Sequence, residues 1–109
     1  MIDYIETVFC IYNVVNLNSD KKRNGNLKAF AMILYNYVTD LAKKYDVDLK
    51  QFKRPKEIQM APLYHYVKTN NIELYSLDAL LDDSLDFKKE GVLETYILSQ
   101  IFHIFKLHV

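Results

Sequence analysis

Apolar side chains recur every three or four residues along most of the chain, which is the spacing of amphipathic helices. The clearest stripe predicts a helix over 27–45, with Asn26 placed to cap its first turn. The apolar positions of this stripe are Leu27, Phe30, Ala31, Leu34, Tyr37, Val38, Leu41 and Tyr45. The same spacing predicts a first helix over 2–17, and a polar loop is expected over 18–26. A strand over 7–12 is the alternative there, because those residues are largely β-branched or aromatic.

Capping residues and prolines divide the middle of the chain into short segments. Asp48 and Gln51 have the spacing of a capping box, so a short helix is expected from there and must end before Pro55. Proline is tolerated in the first turn of a helix, which favours further short helical segments after Pro55 and over 62–68. The short 72–75 segment is compatible with an extended chain, and Ser76 is suited to cap the helical turn after it.

The last predicted helix covers 87–107 and is apolar almost all round. Inside a helix, Gly91 would cost about 1 kcal/mol relative to alanine, which favours a start close to Gly91. A helix with such a narrow polar stripe is expected to lie at the centre of a bundle or to pair with a second copy.

These elements predict an all-α fold, a compact bundle of four to five helices forming one domain over 1–109. Half of the residues are hydrophobic and 26% are charged, a balance typical of globular proteins. Only two glycines and two prolines occur, too few for the turns of a many-stranded sandwich or barrel. An α+β fold with a strand at 7–12 remains the alternative, and a homodimer formed through the 87–107 helix is a further expectation.

The cysteine content and the termini bear on the cellular compartment. Cys10 is the single cysteine, which excludes an internal disulfide framework and a cysteine-based zinc site and favours a reducing compartment. Acids at Asp3 and Glu6 stand where a secretory signal would carry basic residues, and the apolar 92–109 stretch is interrupted by polar side chains. We therefore expect a cytoplasmic protein that does not span a membrane.

The net charge of zero conceals an uneven distribution. Residues 1–70 carry 11 basic and 7 acidic side chains, whereas 71–109 carry 3 and 7. The acids of the second part predict a partner-binding patch, with a solvated acidic face as the alternative. The residues of this patch are Asp82, Asp83, Asp86 and Glu90. Like charges repel along a helix, so these acids are expected to flank a turn, with Asp86 helping to start the last helix.

The 43–56 segment combines six basic residues with two aromatic rings and two acids. Single-stranded nucleic acids are bound by such mixtures, because cations neutralise phosphates and rings stack on bases. Lysines at the end of a helix also complement its dipole, which is the structural alternative. The candidates for binding a partner or nucleic acid are Lys43, Lys44, Lys50, Phe52, Lys53, Arg54 and Lys56.

Nine tyrosines and six phenylalanines form a large aromatic content. Tyrosine is enriched at protein interfaces, which makes Tyr35, Tyr37, Tyr64 and Tyr66 candidates for a partner surface. The alternative is a compositional origin. Residues with A+T-rich codons (Lys, Asn, Ile, Tyr and Phe) supply 44 of the 109 positions, a bias common in phages, viruses and mobile elements.

No pattern of catalytic, cofactor-binding or metal-ligating residues is recognisable. His65, His103 and His108 have no partner at a diagnostic spacing, and no glycine-rich phosphate loop occurs. The sequence thus predicts a non-enzymatic protein-binding module without a cofactor, of the inhibitor, antitoxin, immunity-protein or regulatory-subunit kind. Nucleic-acid binding through 43–56 is the alternative and is less favoured, because the chain has no overall basic excess.

Overall fold

The computed structural model describes residues 1–22, 25–52 and 58–108. This part of the chain contains no strand, and the predicted all-α fold of four to five helices is confirmed. The strand alternative over 7–12 is wrong, because those residues lie inside the first helix. The helices are α1 (Ile2–Lys22), α2 (Gly25–Lys44), α3 (Ala61–Thr69), α4 (Leu77–Leu80) and α5 (Val92–Ile104), with a 3₁₀ turn at Leu49–Gln51.

The chain divides into two compact units, Met1–Pro62 and Leu63–Val109. The first unit contains α1, α2 and the 3₁₀ turn, and the second contains nearly all of α3 together with α4 and α5. The helical segment predicted after Pro55 lies outside the described residues.

In the first unit, α1 and α2 pack against each other as an antiparallel pair. The hydroxyls of Tyr4 and Tyr37 lie 2.9 Å apart, whereas Lys28 Nζ at the opposite end of α2 is 3.9 Å from Asp20 Oδ1. Each fully buried aliphatic side chain stabilises such a pair by about 1.5–3 kcal/mol. The buried apolar residues of the two helices are Tyr4, Ile5, Val8, Cys10, Ile11, Val15, Phe30, Ala31, Leu34, Val38 and Ala42.

The predicted loop over 18–26 is largely wrong, because α1 continues to Lys22 and α2 begins at Gly25. Asn26 consequently lies within α2 and is not its N-cap. Polar side chains on α1 satisfy themselves on the helix itself: Ser19 is buried and donates to the carbonyl of Asn16 at 2.7 Å. This bond satisfies the buried hydroxyl within the helix, so the helix does not have to end near Ser19 to give it a partner.

Three helices end in the same left-handed motif, although the residue in the left-handed conformation is never glycine. Asp46, Asn71 and Lys106 adopt φ values of 54°, 52° and 54°. The N–H of the following apolar residue then donates to a carbonyl five residues earlier, which is the Schellman arrangement. These bonds join Val47 to Ala42 at 2.8 Å, Ile72 to Val67 at 3.0 Å and Leu107 to Phe102 at 2.8 Å.

In the second unit, a buried serine ties the chain after α3 to α5. Ser99 is fully buried; its hydroxyl donates to the carbonyl of Thr95 at 2.6 Å and accepts from the N–H of Tyr75 at 2.8 Å. Tyr64 packs edge-on against Phe102, with ring centroids 5.3 Å apart. The buried apolar residues of this unit are Leu63, Val67, Leu80, Ile97, Leu98, Ile101 and Phe102.

The cap of α4 and a start of α5 close to Gly91 agree with the predictions, whereas the full extent of 87–107 does not. Ser76 Oγ accepts from the N–H of Ala79 at 3.2 Å. The last helix begins at Val92 and ends at Ile104, not over the predicted 87–107, because Gly91 adopts φ +81° at its N-cap. Asp86 therefore does not start α5; its carboxylate accepts from the N–H of Lys88 at 3.0 Å in the preceding turn.

Gly91→Ala should lower the free energy of unfolding by about 0.5–1 kcal/mol, because an L-residue is strained at this positive φ. This is the opposite of what a glycine inside a helix predicts. Gly25→Ala is the matched control, since no positive φ occurs there and a Cβ would have open space. Urea unfolding of both variants measures the difference, and a stabilising Gly91→Ala would contradict the left-handed cap.

Lys106→Gly should raise the free energy of unfolding by about 0.5–1 kcal/mol. Glycine removes about 1–2 kcal/mol of strain at this left-handed position. Part of this gain is offset because glycine also increases the conformational entropy of the unfolded chain. Lys68→Gly, in the last turn of α3, should cost about 1 kcal/mol instead. The pair is compared by chemical denaturation; equal losses in both variants would be inconsistent with the terminal motif.

Candidate functional site

A cleft of about 690 Å³ opens in the first unit, between α1, α2 and the chain that follows α2. This volume lies within the range of about 300–1,000 Å³ typical of ligand sites. We call it the aromatic cleft. Its lining residues are Phe9, Asn13, Tyr35, Thr39, Ala42, Lys43, Asp46, Val47, Asp48, Leu49, Lys50 and Phe52.

Local backbone chemistry turns the chain after α2 so that it forms one wall of the cleft. The left-handed Asp46 ends α2 and directs the chain out of the helix. Asp48 then caps the 3₁₀ turn, accepting from the N–H of Lys50 at 3.0 Å, as its sequence spacing predicts. The N–H of Phe52 closes this turn on the carbonyl of Leu49 at 3.2 Å. The 46–52 segment is thereby held in one conformation beside two long helices.

Aromatic rings form a continuous row that enters the cleft. The ring of Phe52 lies 6.5 Å from that of Phe9, which is 6.2 Å from Tyr12 on the same helix. Tyr12 lies 5.2 Å from Tyr35 across the two helices. Tyr35 is 47% exposed, so its ring has one face packed against the protein and considerable area left for a partner.

Tyr12 and Tyr35 also line a second, smaller hollow of about 130 Å³. Asn16, Asn36 and the 63% exposed Met32 contribute to its lining. Methionine is a flexible side chain that adapts to irregular partners. The two hollows share Tyr35, so apolar contact area continues along the α1–α2 groove beyond the aromatic cleft.

Charges of both signs surround the aromatic cleft. Lys43 and Lys50 are exposed in its lining, as are Asp46 and Asp48. Lys44, next to Lys43, holds its ammonium group 5.4 Å from the centroid of the Tyr45 ring. The described lining is therefore electrically balanced, and the ammonium group of Lys44 lies against an aromatic face.

The structure brings together four residues that the sequence assigned to two different candidate surfaces. Lys43, Lys50 and Phe52 came from the basic 43–56 segment and Tyr35 from the interface aromatics, and all four line the aromatic cleft. Lys44 is exposed beside them. The candidates Lys53, Arg54 and Lys56 lie outside the described residues.

The other interface candidates occupy different positions. Tyr37 is half-buried, with its hydroxyl against that of Tyr4. Tyr64 and Tyr66 are half-buried on α3, in the second unit, and the Tyr64 ring packs on Phe102. Neither tyrosine of α3 contributes to the aromatic cleft.

Sequence reasoning missed the contribution of α1 to the cleft. Phe9 and Asn13 are both half-buried and line the cleft, at the boundary between the buried and the exposed sides of α1. The i, i+4 spacing of Phe9 and Asn13 was the available signal, since such residues share one strip of a helix. A half-buried boundary strip is recognised only when the neighbouring helix is in place.

The predicted acidic patch lies between α4 and α5. Asp82, Asp83, Asp86 and Glu90 are all exposed, and the acids flank turns instead of forming one helix, as expected. The backbone N–H of Ser84 donates to Asp82 Oδ1 at 2.9 Å. This bond, with a second from the Ser84 side chain, lowers the pKa of the Asp82 carboxyl.

Exposed leucines accompany these acids. Leu77 is 56% exposed and Leu81 is 75% exposed, while Leu80 between them is buried. Phe87 is also exposed and packs on Tyr96 of α5, with ring centroids 4.9 Å apart. The α4 turn thus presents apolar side chains next to carboxylates.

The histidines His65 and His103 each contact a neutral polar group. His65 Nε2 lies 3.5 Å from Thr69 Oγ1, and His103 Nε2 lies 3.4 Å from the carbonyl of Tyr75; both histidines are exposed. Neither contact is with a carboxylate. Across residues 1–22, 25–52 and 58–108, no group of three or more His, Cys, Asp or Glu side chains could hold a metal ion.

No helix in the described part of the chain is long and apolar enough to cross a membrane. No family model, no curated protein and no solved structure matches the chain.

Cys10 should react slowly with thiol reagents in the folded protein. Burial, and to a smaller extent the charge of Glu6, raises the pKa of the Cys10 thiol, so less of the reactive thiolate is present. We expect the alkylation rate to be far below that of the urea-unfolded chain and its rise with pH to be displaced to higher pH. In Glu6→Gln the profile should return slightly toward lower pH. Equal rates for the folded and unfolded chains would show that Cys10 is accessible.

Proposed function

We propose that this chain is a small, non-enzymatic, cytoplasmic protein-binding module that docks a segment of a partner protein in the aromatic cleft. The observation that carries the proposal is the cleft itself, in which exposed Tyr35 and half-buried Phe9 and Phe52 line an open volume of about 690 Å³. The single cysteine supports a reducing compartment. Inhibitors, antitoxins, immunity proteins and regulatory subunits all act by docking of this kind.

The lining favours a protein segment over a nucleic acid. Two lysines in the described lining are matched by Asp46 and Asp48, so a phosphate backbone would meet as many carboxylates as cations. Phosphate contacts supply essentially all of the sequence-independent affinity for nucleic acids. Rings bordered by mixed charge are instead typical of protein interfaces, where a buried aromatic centre is surrounded by a polar rim.

The expected partner segment carries one or two apolar anchor side chains flanked by carboxylates. The anchors would fill the space between Phe9, Tyr35 and Phe52, where most of the binding energy would be concentrated. The flanking carboxylates would pair with Lys43 and Lys50, the two exposed cations in the described lining. Complementary charges at the rim would increase the association rate and fix the orientation of the segment.

Selection of a random peptide display library against the immobilised full-length chain tests the proposal. We expect enriched peptides to share an apolar anchor and neighbouring acids, and to bind the chain in solution by fluorescence polarisation. Tyr35→Ala should weaken binding by about tenfold, because an exposed aromatic anchor is worth more than about 1 kcal/mol at an interface. Lys43→Glu/Lys50→Glu should weaken it further by reversing the rim charge.

Lys21→Glu/Lys68→Glu is the matched control, since it makes the same change in charge at exposed positions outside the cleft lining and leaves the ion pair between Lys28 and Asp20 intact. The same titrations with a labelled oligothymidylate distinguish the nucleic-acid alternative. The proposal is overturned if no acidic–apolar peptides are enriched or if the cleft variants bind them unchanged. It is also overturned if the oligonucleotide binds more tightly than the peptides, with a steep dependence on salt.

A further inference from the structure

The short helix α4 and its C-cap carry two strongly exposed leucines. Leu81 is the most exposed large apolar residue in the described part of the chain, and Leu77 is more than half exposed. The N–H of Leu81 donates to the carbonyl of Leu77 at 3.2 Å, which fixes the two residues one helical turn apart. Side chains four residues apart lie on one face of a helix. Exposed leucines paired in this way mark an interaction surface.

Carboxylates lie next to this leucine pair along the chain. Asp78 belongs to α4, Asp82 and Asp83 follow Leu81 directly, and all three are exposed. The Ser84 N–H holds Asp82 in place, while buried Leu80 and the Ser76 cap fix the turn to the rest of its unit. We call Leu77, Leu81 and these three aspartates the α4 surface. It has two apolar anchors flanked by acids, the composition expected of a segment that fits the aromatic cleft.

We propose that the aromatic cleft binds the α4 surface of a second copy of this chain, so that copies associate head to tail. This inference rests on the proposed function, because it identifies the partner that the cleft binds. Leu77 and Leu81 enter between the rings of the cleft, and the aspartates face Lys43 and Lys50 at its rim.

The distribution of charge supports a second copy as the occupant. The first unit, residues 1–62, carries 10 basic and 7 acidic side chains, a net charge of +3. The second unit, residues 63–109, carries 4 and 7, a net charge of −3. Two identical chains therefore attract each other when the first unit of one meets the second unit of the other. Contact between like units would instead bring equal charges together.

A head-to-tail interface differs in symmetry from the pairing of two α5 helices. Each contact uses the cleft of one copy and the α4 surface of the other, so one copy keeps a free cleft and the other a free α4 surface. Such heterologous contacts continue into rings or longer assemblies. A symmetric pairing through α5 uses the same surface twice and stops at a dimer. Complementation between two defective variants separates these cases.

Sedimentation equilibrium of the full-length chain provides the test. The wild type should associate with increasing concentration, whereas a cleft variant, Lys43→Glu/Lys50→Glu, should be about tenfold weaker or monomeric. An α4 variant, Leu77→Ala/Leu81→Ala, should be weakened similarly. An equimolar mixture of the two variants should form a complex of two chains, because it combines an intact cleft with an intact α4 surface. Neither variant alone can do so.

Lys21→Glu/Lys68→Glu again controls for net charge. It leaves the two units with opposite charges of +1 and −5, whereas the cleft variant makes the first unit negative, so the control should associate much more strongly than the cleft variant. Raising the salt from about 0.05 M to about 0.5 M should weaken association, since exposed charges are screened over a shorter distance. A monomeric wild type, or variants that fail to complement each other, overturns the inference. If the wild type is monomeric while acidic–apolar peptides still bind the cleft, the proposed function stands and only the second copy is rejected.

Discussion

The packing of α1 against α2 is the interaction on which the candidate site depends. Both helices bury an aliphatic stripe in the contact, with Ile5, Ile11, Leu34 and Val38 fully excluded from solvent. A stripe this wide holds the two helices in one register, because shifting either by a residue would expose part of it. The boundary residues on either side of the stripe then become the walls of a groove. Aromatic side chains at those boundaries are presented for binding without having to support the core.

A second constraint is the scarcity of glycine. Three helices end in the left-handed conformation that glycine adopts without strain, yet aspartate, asparagine and lysine occupy these positions. The apolar residues that follow (Val47, Ile72 and Leu107) each place their N–H on a carbonyl five residues earlier, which offsets the local strain. At the end of α2, this motif also directs the chain across the cleft. Backbone conformation and binding geometry are thus coupled at Asp46.

The two proposed surfaces lie in units of opposite net charge. The aromatic cleft lies in the unit of positive net charge, and the α4 surface, with exposed leucines next to aspartates, lies in the unit of negative net charge. Long-range attraction of this kind accelerates encounter, whereas the burial of Leu77 and Leu81 would determine how long a complex lasts. The physical division of the chain into two units corresponds to the division of its charge. The prediction of a single domain over 1–109 remains a prediction.

Helical periodicity in the sequence by itself determined the fold class, the existence of each long helix and the caps at Asp48 and Ser76, because these depend on neighbours within one turn. It did not predict that α1 continues to Lys22, past a buried Ser19 hydroxyl that is satisfied within its own helix. The weak helix propensity of Gly91 indicated a start of α5 close to that residue, but its left-handed conformation is seen only in the structure. The tertiary structure alone decided which candidates meet, since residues as distant as Phe9 and Phe52 come together only when two helices pack and the chain turns back across them.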